Sequence, residues 1–144
     1  EVAVIGGGDT ALEEAIYLSG IAKKVYLIHR RDKFRAAPAT IKRVLSNDKI
    51  KILYNSKVKK VYGEQFVEGM IINQDNKEID LKVPGVFVFV GNRKNTDILK
   101  DDKEFICKMC EDGSVCVDLN MQTLLKGLYA VGDIRANSPK QVIC

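Results

Sequence analysis

Two stretches of this 144-residue chain, and one group of cysteines, place residue types at spacings that could do chemistry. The first stretch, Gly6-Gly7-Gly8-Asp9-Thr10-Ala11, matches the G-x-G-x-x-G/A pattern of dinucleotide sites. Each small residue answers a separate need. Gly6 allows the tight turn out of a strand, and Gly8 lets backbone approach a pyrophosphate with no side chain between. Ala11 lets the following helix pack closely on the sheet. The phosphates would sit on free N–H groups at the positive end of that helix, where Asp9 and Thr10 stand as candidate contacts or caps.

The second stretch, His29-Arg30-Arg31 with Arg35 shortly after, decides which dinucleotide is expected. An NAD site normally closes its second strand with Asp or Glu, which accepts hydrogen bonds from the ribose hydroxyl. A carboxylate there would repel an added phosphate. Guanidinium groups instead fork onto phosphate oxygens and are not lost by deprotonation. The pattern therefore points to NADPH.

Cys107-Lys108-Met109-Cys110 has the spacing of a redox dithiol, and Cys116 nearby makes a metal corner conceivable. A reactive thiolate needs a helix N-terminus or a cationic neighbourhood. These cysteines flank the polar turn Glu111-Asp112-Gly113 in acidic surroundings, and a zinc site would still need a fourth ligand that neither His29 nor Cys144 obviously supplies. A hairpin with free thiols is the expectation, and free thiols throughout would fit a reducing cytoplasm.

These residues need elements to position them. Apolar residues 2–5 read as a strand running into the Gly turn, and residues 25–28 as a second strand. Between them Leu12, Ala15, Ile16 and Ser19 share one helical face that ends near Gly20, which completes a βαβ unit with parallel pairing. Pro38 opens a second helix with Ile41, Val44 and Leu45 as its apolar stripe. From Ile50 onward, residues 50–54, 58–62, 66–73 and 78–83 alternate between polar turns, as in an antiparallel meander. Residues 86–90 are continuously apolar, as a strand buried on both faces would be. A linker is expected at Gly91-Asn92-Arg93-Lys94-Asn95, followed by a hairpin at Asp112-Gly113 and a short strand over 128–131.

Composition excludes several classes. The chain is 46% hydrophobic and 29% charged, with a net charge of +4 and 7% aromatic residues, which speaks against a nucleic-acid binder. No apolar run reaches the ~20 residues of a membrane helix. One histidine argues against a His-based metal cage or an internal Ser–His–Asp triad.

Taken together, Gly6 to Ala11 and His29-Arg30-Arg31-Asp32-Lys33-Phe34-Arg35-Ala36 resemble the NADPH-binding domain of bacterial-type, low-molecular-weight thioredoxin reductases, over essentially the whole chain. The resemblance implies an α/β, Rossmann-like FAD/NAD(P)-binding fold with a parallel sheet, a βαβ unit and an antiparallel β-meander. It implies NADPH binding by residues 1–91, and a C-terminal segment of an FAD-binding domain in residues 92–144. Thr123 with Gly127-Leu128-Tyr129-Ala130-Val131-Gly132-Asp133 matches the family's late FAD motif, in which the Asp bonds the ribityl chain. Lys140, Gln141 and Val142 stand where the family's next helix faces the flavin ring. Lys126 and Lys94 stand where Pro is usual, and Lys140 where Arg is usual, none of which removes a phosphate or ribityl contact.

The activity so implied passes hydride from NADPH to FAD, and electrons onward to a disulfide and to thioredoxin, in a cytoplasmic homodimer. The family's first FAD motif and its redox Cys-x-x-Cys lie upstream of the Gly turn. The chain is thus expected to be a piece of a longer protein, with no catalytic residue of its own and little activity alone. Two rivals share the Gly turn. One is a thioredoxin-reductase-like ferredoxin–NADP reductase, which Glu13-Glu14-Ala15 and Asp32 to Ala36 disfavour. The other is an NADPH-sensing module without turnover.

Overall fold

The computed structural model describes residues 1–91, 94–102 and 104–138. It begins on strand β1 (Val2–Gly6), whose Ala3 and Val4 are fully buried. The chain turns through Gly7 and Gly8 into helix α1 (Asp9–Ile21), which lays Ala11, Leu12, Ala15 and Leu18 against the sheet. Strand β2 (Val25–Ile28) then pairs parallel with β1 from Val2↔Val25 to Ile5↔Ile28. The βαβ unit is present as expected.

Helix α2 (Pro38–Leu45) opens on Pro38, whose missing N–H costs nothing in a first turn. It buries Val44 and Thr40 and leaves Leu45 62% exposed, so Leu45 is not part of the apolar stripe. Strand β3 (Ile50–Leu53) pairs parallel with β2. It therefore closes a second βαβ unit and does not begin the meander. Its alternation was misleading because β3 is an edge strand, with Lys51 facing solvent between Ile50 and Ile52.

The meander is β4 (Ser56–Tyr62), β5 (Gly69–Gln74) and β6 (Lys77–Leu81), paired antiparallel in that order. Asp75 and Asn76, at φ 47° and 65°, make the two-residue turn between β5 and β6. Positive φ at both central positions matches the right-handed twist of a hairpin, and Asp and Asn tolerate it. Strand β7 (Val86–Phe89) returns parallel to β1, giving the sheet order β3-β2-β1-β7. It too is an edge, and Phe87 and Val88 are exposed, so the expected burial on both faces is not found.

The result is three layers within Glu1–Gly91, one of two compact units of the chain. The helices pack on one face of the parallel sheet around Leu12, Leu27 and Val44, and the meander packs on the other around Ile28, Met70 and Ile72. Met70 is fully buried between the two sheets. Met70→Ala should destabilise the unit by ~2–5 kcal/mol, the usual cost of emptying such a site. A urea titration checks this, and a shift under ~1 kcal/mol would mean that the layers can close over the gap.

The second unit, Asn92–Cys144, has less regular structure. Strands β8 (Lys100–Asp101) and β9 (Glu104–Phe105) form a short hairpin, and a small core gathers Cys107, Val115 and Ala130. Among the described residues no helix is long and apolar enough to cross a membrane.

Candidate functional site

The three glycines that end β1 and lead into α1 have three different surroundings. A Cβ on Gly6, at φ +155°, would lie 2.4 Å from the Phe89 carbonyl oxygen and 2.6 Å from the Ala11 Cβ. Close packing of β1, β7 and α1 therefore excludes any side chain there. A Cβ on Gly7 would lie 2.2 Å from the His29 ring. A Cβ on Gly8 would meet nothing within 4 Å. The space beside Gly8 is free, and α1 starts there with no side-chain cap, its first hydrogen bond running from Leu12 N–H to the Gly8 carbonyl. The N–H groups of Asp9, Thr10 and Ala11 consequently have no partner within the helix. Asp9 and Thr10 are exposed and Ala11 is fully buried.

Neither Asp9 nor Thr10 caps α1, contrary to expectation. The Asp9 carboxylate instead accepts the Ala37 N–H at 2.7 Å, tying the start of α1 to the residue just before α2. Beside this clamp the arginine loop is fastened at several points. The Arg35 N–H donates to the Gly7 carbonyl at 2.7 Å, and the Asn55 N–H to that of Arg31 at 3.2 Å. The Ser56 N–H donates to the His29 carbonyl at 2.9 Å. His29 is itself buried, with Nε2 2.9 Å from the Lys33 carbonyl oxygen. Only a protonated ring nitrogen can pair with a carbonyl, so Nε2 carries the hydrogen. The ring of His29 packs at a tilt against Phe34, and Phe34 against Tyr54, with centroids 5.3 and 5.0 Å apart. Burial also pushes the Tyr54 hydroxyl above its ordinary pKa.

Arg30, Arg31 and Arg35 are all exposed and make no ion pair with a described residue. Three free guanidinium groups thus stand on a loop tied by backbone to the Gly turn. That arrangement suits a doubly anionic group next to a pyrophosphate. The donor set fits NADPH. His29, which the sequence pattern places among the cofactor contacts, is buried behind the turn with its ring against Gly7. Asp9 as a clamp and the Phe34–Tyr54 contact went unread in the sequence. Their partners are distant in the chain, so no local signal marks them.

Gly132 and Asp133 lie in the second unit, in a short 3-10 turn, Gly132–Ile134. Gly132 has φ +72° and open space where a Cβ would be. The exposed Asp133 carboxylate accepts the Ser138 hydroxyl at 3.0 Å, so it is a hydroxyl acceptor of the kind a ribityl chain would use. Lys140, Gln141, Val142 and Cys144 lie outside the described residues.

The cysteines correct the sequence reading. Cys110 is bonded to Cys116, while Cys107 is free and buried. The expectation of free thiols is overturned for Cys110 and Cys116, while the expected hairpin is present and Cys107 stays a free thiol. The hairpin at Asp112-Gly113 pairs Met109 with Val115 and Cys110 with Ser114, which sets Cys110 diagonally across the two arms from Cys116. Among the described residues no group of three or more His, Cys, Asp or Glu side chains is placed to hold a metal ion.

A family model described as pyridine nucleotide-disulphide oxidoreductase matches residues 1–144. The chain is 49% identical to the thioredoxin reductase of Helicobacter pylori, over 100% of this chain and 48% of that protein. It is 45% identical to the thioredoxin reductase of Spironucleus barkhanus, over 92% of this chain and 43% of that one. Among solved structures, thioredoxin reductase from Lactococcus lactis superposes with a TM-score of 0.83 at 29% identity, over 99% of this chain and 46% of that one. The enzyme from T. acidophilum superposes at 0.81 with 28% identity, over 97% and 46%. The chain spans about half the length of the curated relatives it matches.

Proposed function

The chain belongs to the pyridine nucleotide-disulphide oxidoreductase family, and from that premise we propose that it carries the NADPH-binding part of a thioredoxin-disulfide reductase. In this reading Glu1–Gly91 holds NADPH, and the second unit contributes Gly132 and Asp133, with Lys140, Gln141 and Val142, to an FAD site. The partner of the whole protein is a thioredoxin-type disulfide, met by a cytoplasmic homodimer. The observation that carries the reading is the bare backbone at Gly8 beside three unpaired arginines on a fastened loop.

NADPH, when bound, supplies a hydride that a flavin can take. The chain's own residues bind and orient it. The N–H groups at the start of α1 meet the pyrophosphate, and the absence of a Cβ at Gly8 lets them come close. The guanidinium groups of Arg30, Arg31 and Arg35 meet the extra phosphate. Asp9, through Ala37, keeps the two helix starts at a fixed distance.

Calorimetric titration with NADPH, NADH and FAD tests the reading. NADPH should bind at least tenfold more tightly than NADH, since one charged hydrogen bond is worth ~1.5–3 kcal/mol. Equal affinity for the two nicotinamide cofactors would overturn it. The Phe34→Leu variant should keep its fold but bind NADPH roughly three- to tenfold more weakly, because an aromatic pair adds ~0.5–1.5 kcal/mol of support. Unchanged NADPH affinity in that variant would show that the aromatic contact does not position the arginines.

A further inference from the structure

The hairpin of the second unit is closed twice over. Its backbone bonds run from Cys110 N–H to the Ser114 carbonyl at 2.8 Å and from Gly113 N–H to the Cys110 carbonyl at 2.9 Å. A third runs from Cys116 N–H to the Lys108 carbonyl at 3.0 Å. Across the same turn Cys110 and Cys116, with Cα atoms 5.7 Å apart, are joined by a disulfide. What the turn holds is a cation. Lys94 Nζ donates to the Asp112 carboxylate at 2.5 Å and also to the fully buried Ser114 hydroxyl. The Lys94 side chain is only 17% exposed, so this ammonium is held inside the unit by groups that the turn itself presents. The Lys94 ammonium, helped by Ser114, holds the Asp112 carboxyl well below the usual carboxylate range. Cys110 and Cys116 are half-buried and within reach of solvent, whereas Cys107 is buried.

We infer that the Cys110–Cys116 disulfide is a reversible redox site, opened by vicinal dithiols, and that its state sets how firmly the hairpin grips Lys94. The balance is that of thiol–disulfide exchange. A thiolate of the dithiol attacks one sulfur, the S–S bond breaks, and the other cysteine leaves as a thiolate that takes up a proton. The second thiol of the dithiol then displaces the remaining cysteine from the mixed disulfide. Cys110 and Cys116 gain two electrons and two protons, and the dithiol becomes a disulfide. No metal, flavin or nucleotide takes part. Opening removes the covalent closure of a short loop, which in the chain-entropy account biases the hairpin toward its closed form by roughly fortyfold. The backbone bonds remain, so the reduced turn opens more often without being lost.

Two measurements test this in the wild-type protein isolated under air without added reductant. The first is alkylation of denatured protein with N-ethylmaleimide, mapped by mass spectrometry. Cys107 should be labelled at once, and Cys110 and Cys116 only after dithiothreitol. Labelling of all three before reduction would overturn the assignment. The second is amide hydrogen exchange together with acylation of Lys94 by an amine-reactive ester, each with and without dithiothreitol. The amides of Cys110 and Cys116 should exchange up to roughly fortyfold faster once reduced, and Lys94 should acylate faster with them. The double variant Cys110→Ser, Cys116→Ser should match the reduced protein and ignore dithiothreitol. Cys107→Ser should respond like wild type. Identical exchange and acylation in oxidised and reduced protein would overturn the link to Lys94.

Discussion

Arg30→Ala should weaken NADPH binding roughly ten- to a hundredfold and leave NADH almost untouched, because a hydrogen bond to a charged group is worth ~1.5–3 kcal/mol. The structure explains why the loss should be selective. Arg30, Arg31 and Arg35 have no ion pair with a described residue, so removing one guanidinium leaves no orphaned partner in the protein. The loop that carries them is fastened through the backbone of Arg31 and Arg35, and those bonds survive truncation of the side chains. Removing all three should deepen the loss by less than the sum of the single effects, since they share one phosphate. Parallel titrations of both cofactors into the variants decide the matter. Equal losses for NADPH and NADH would show that these arginines do not read the phosphate.

A second contrast lies inside the glycine turn. Gly6→Ala should destabilise the first unit by ~3 kcal/mol, combining overpacking with a backbone angle that L residues avoid. The atoms in the way, the Phe89 carbonyl oxygen and the Ala11 Cβ, are a strand's backbone and the first atom of a buried residue, and neither can swing aside. In a unit of this size that means a fall of roughly 10–20 °C in Tm. Gly8→Ala should melt close to the parent, because its methyl group meets only open space. It should nonetheless lose NADPH affinity by tenfold or more, the methyl standing where a pyrophosphate must approach. Thermal unfolding and titration of the two variants side by side separate the roles. A Gly8→Ala protein that binds NADPH normally would remove the turn from the site.

The first βαβ unit could be read directly because its signals are local. Apolar strand, glycines, amphipathic helix and second strand follow one another within the span that a single crossover allows. The strands that were misread, β3 and β7, are the two edges of the sheet. Periodicity reports how many faces a strand buries, and an edge strand can bury fewer than its direction of pairing suggests. Asp9 was read as a cap because helix starts favour it, but its carboxylate is taken by Ala37 from far along the chain. The cysteines failed for a related reason. Free thiols were expected because the cysteines flank an acidic turn, and the diagonal approach of Cys110 to Cys116 within the folded hairpin is something no short motif encodes.

The contact between Gly7 and the ring of His29 constrains how this sequence can change over time. Position 7 has no room for a methyl group because the imidazole fills that space, and the imidazole sits there because its Nε2 is held by Lys33. A larger residue at 7 is therefore tolerable only alongside a smaller one at 29. A smaller residue at 29 would in turn leave Lys33, and the arginines on either side of it, without their brace. Drift at either position alone leads through a broken intermediate, so the glycine turn and the start of the basic loop must be inherited as a pair.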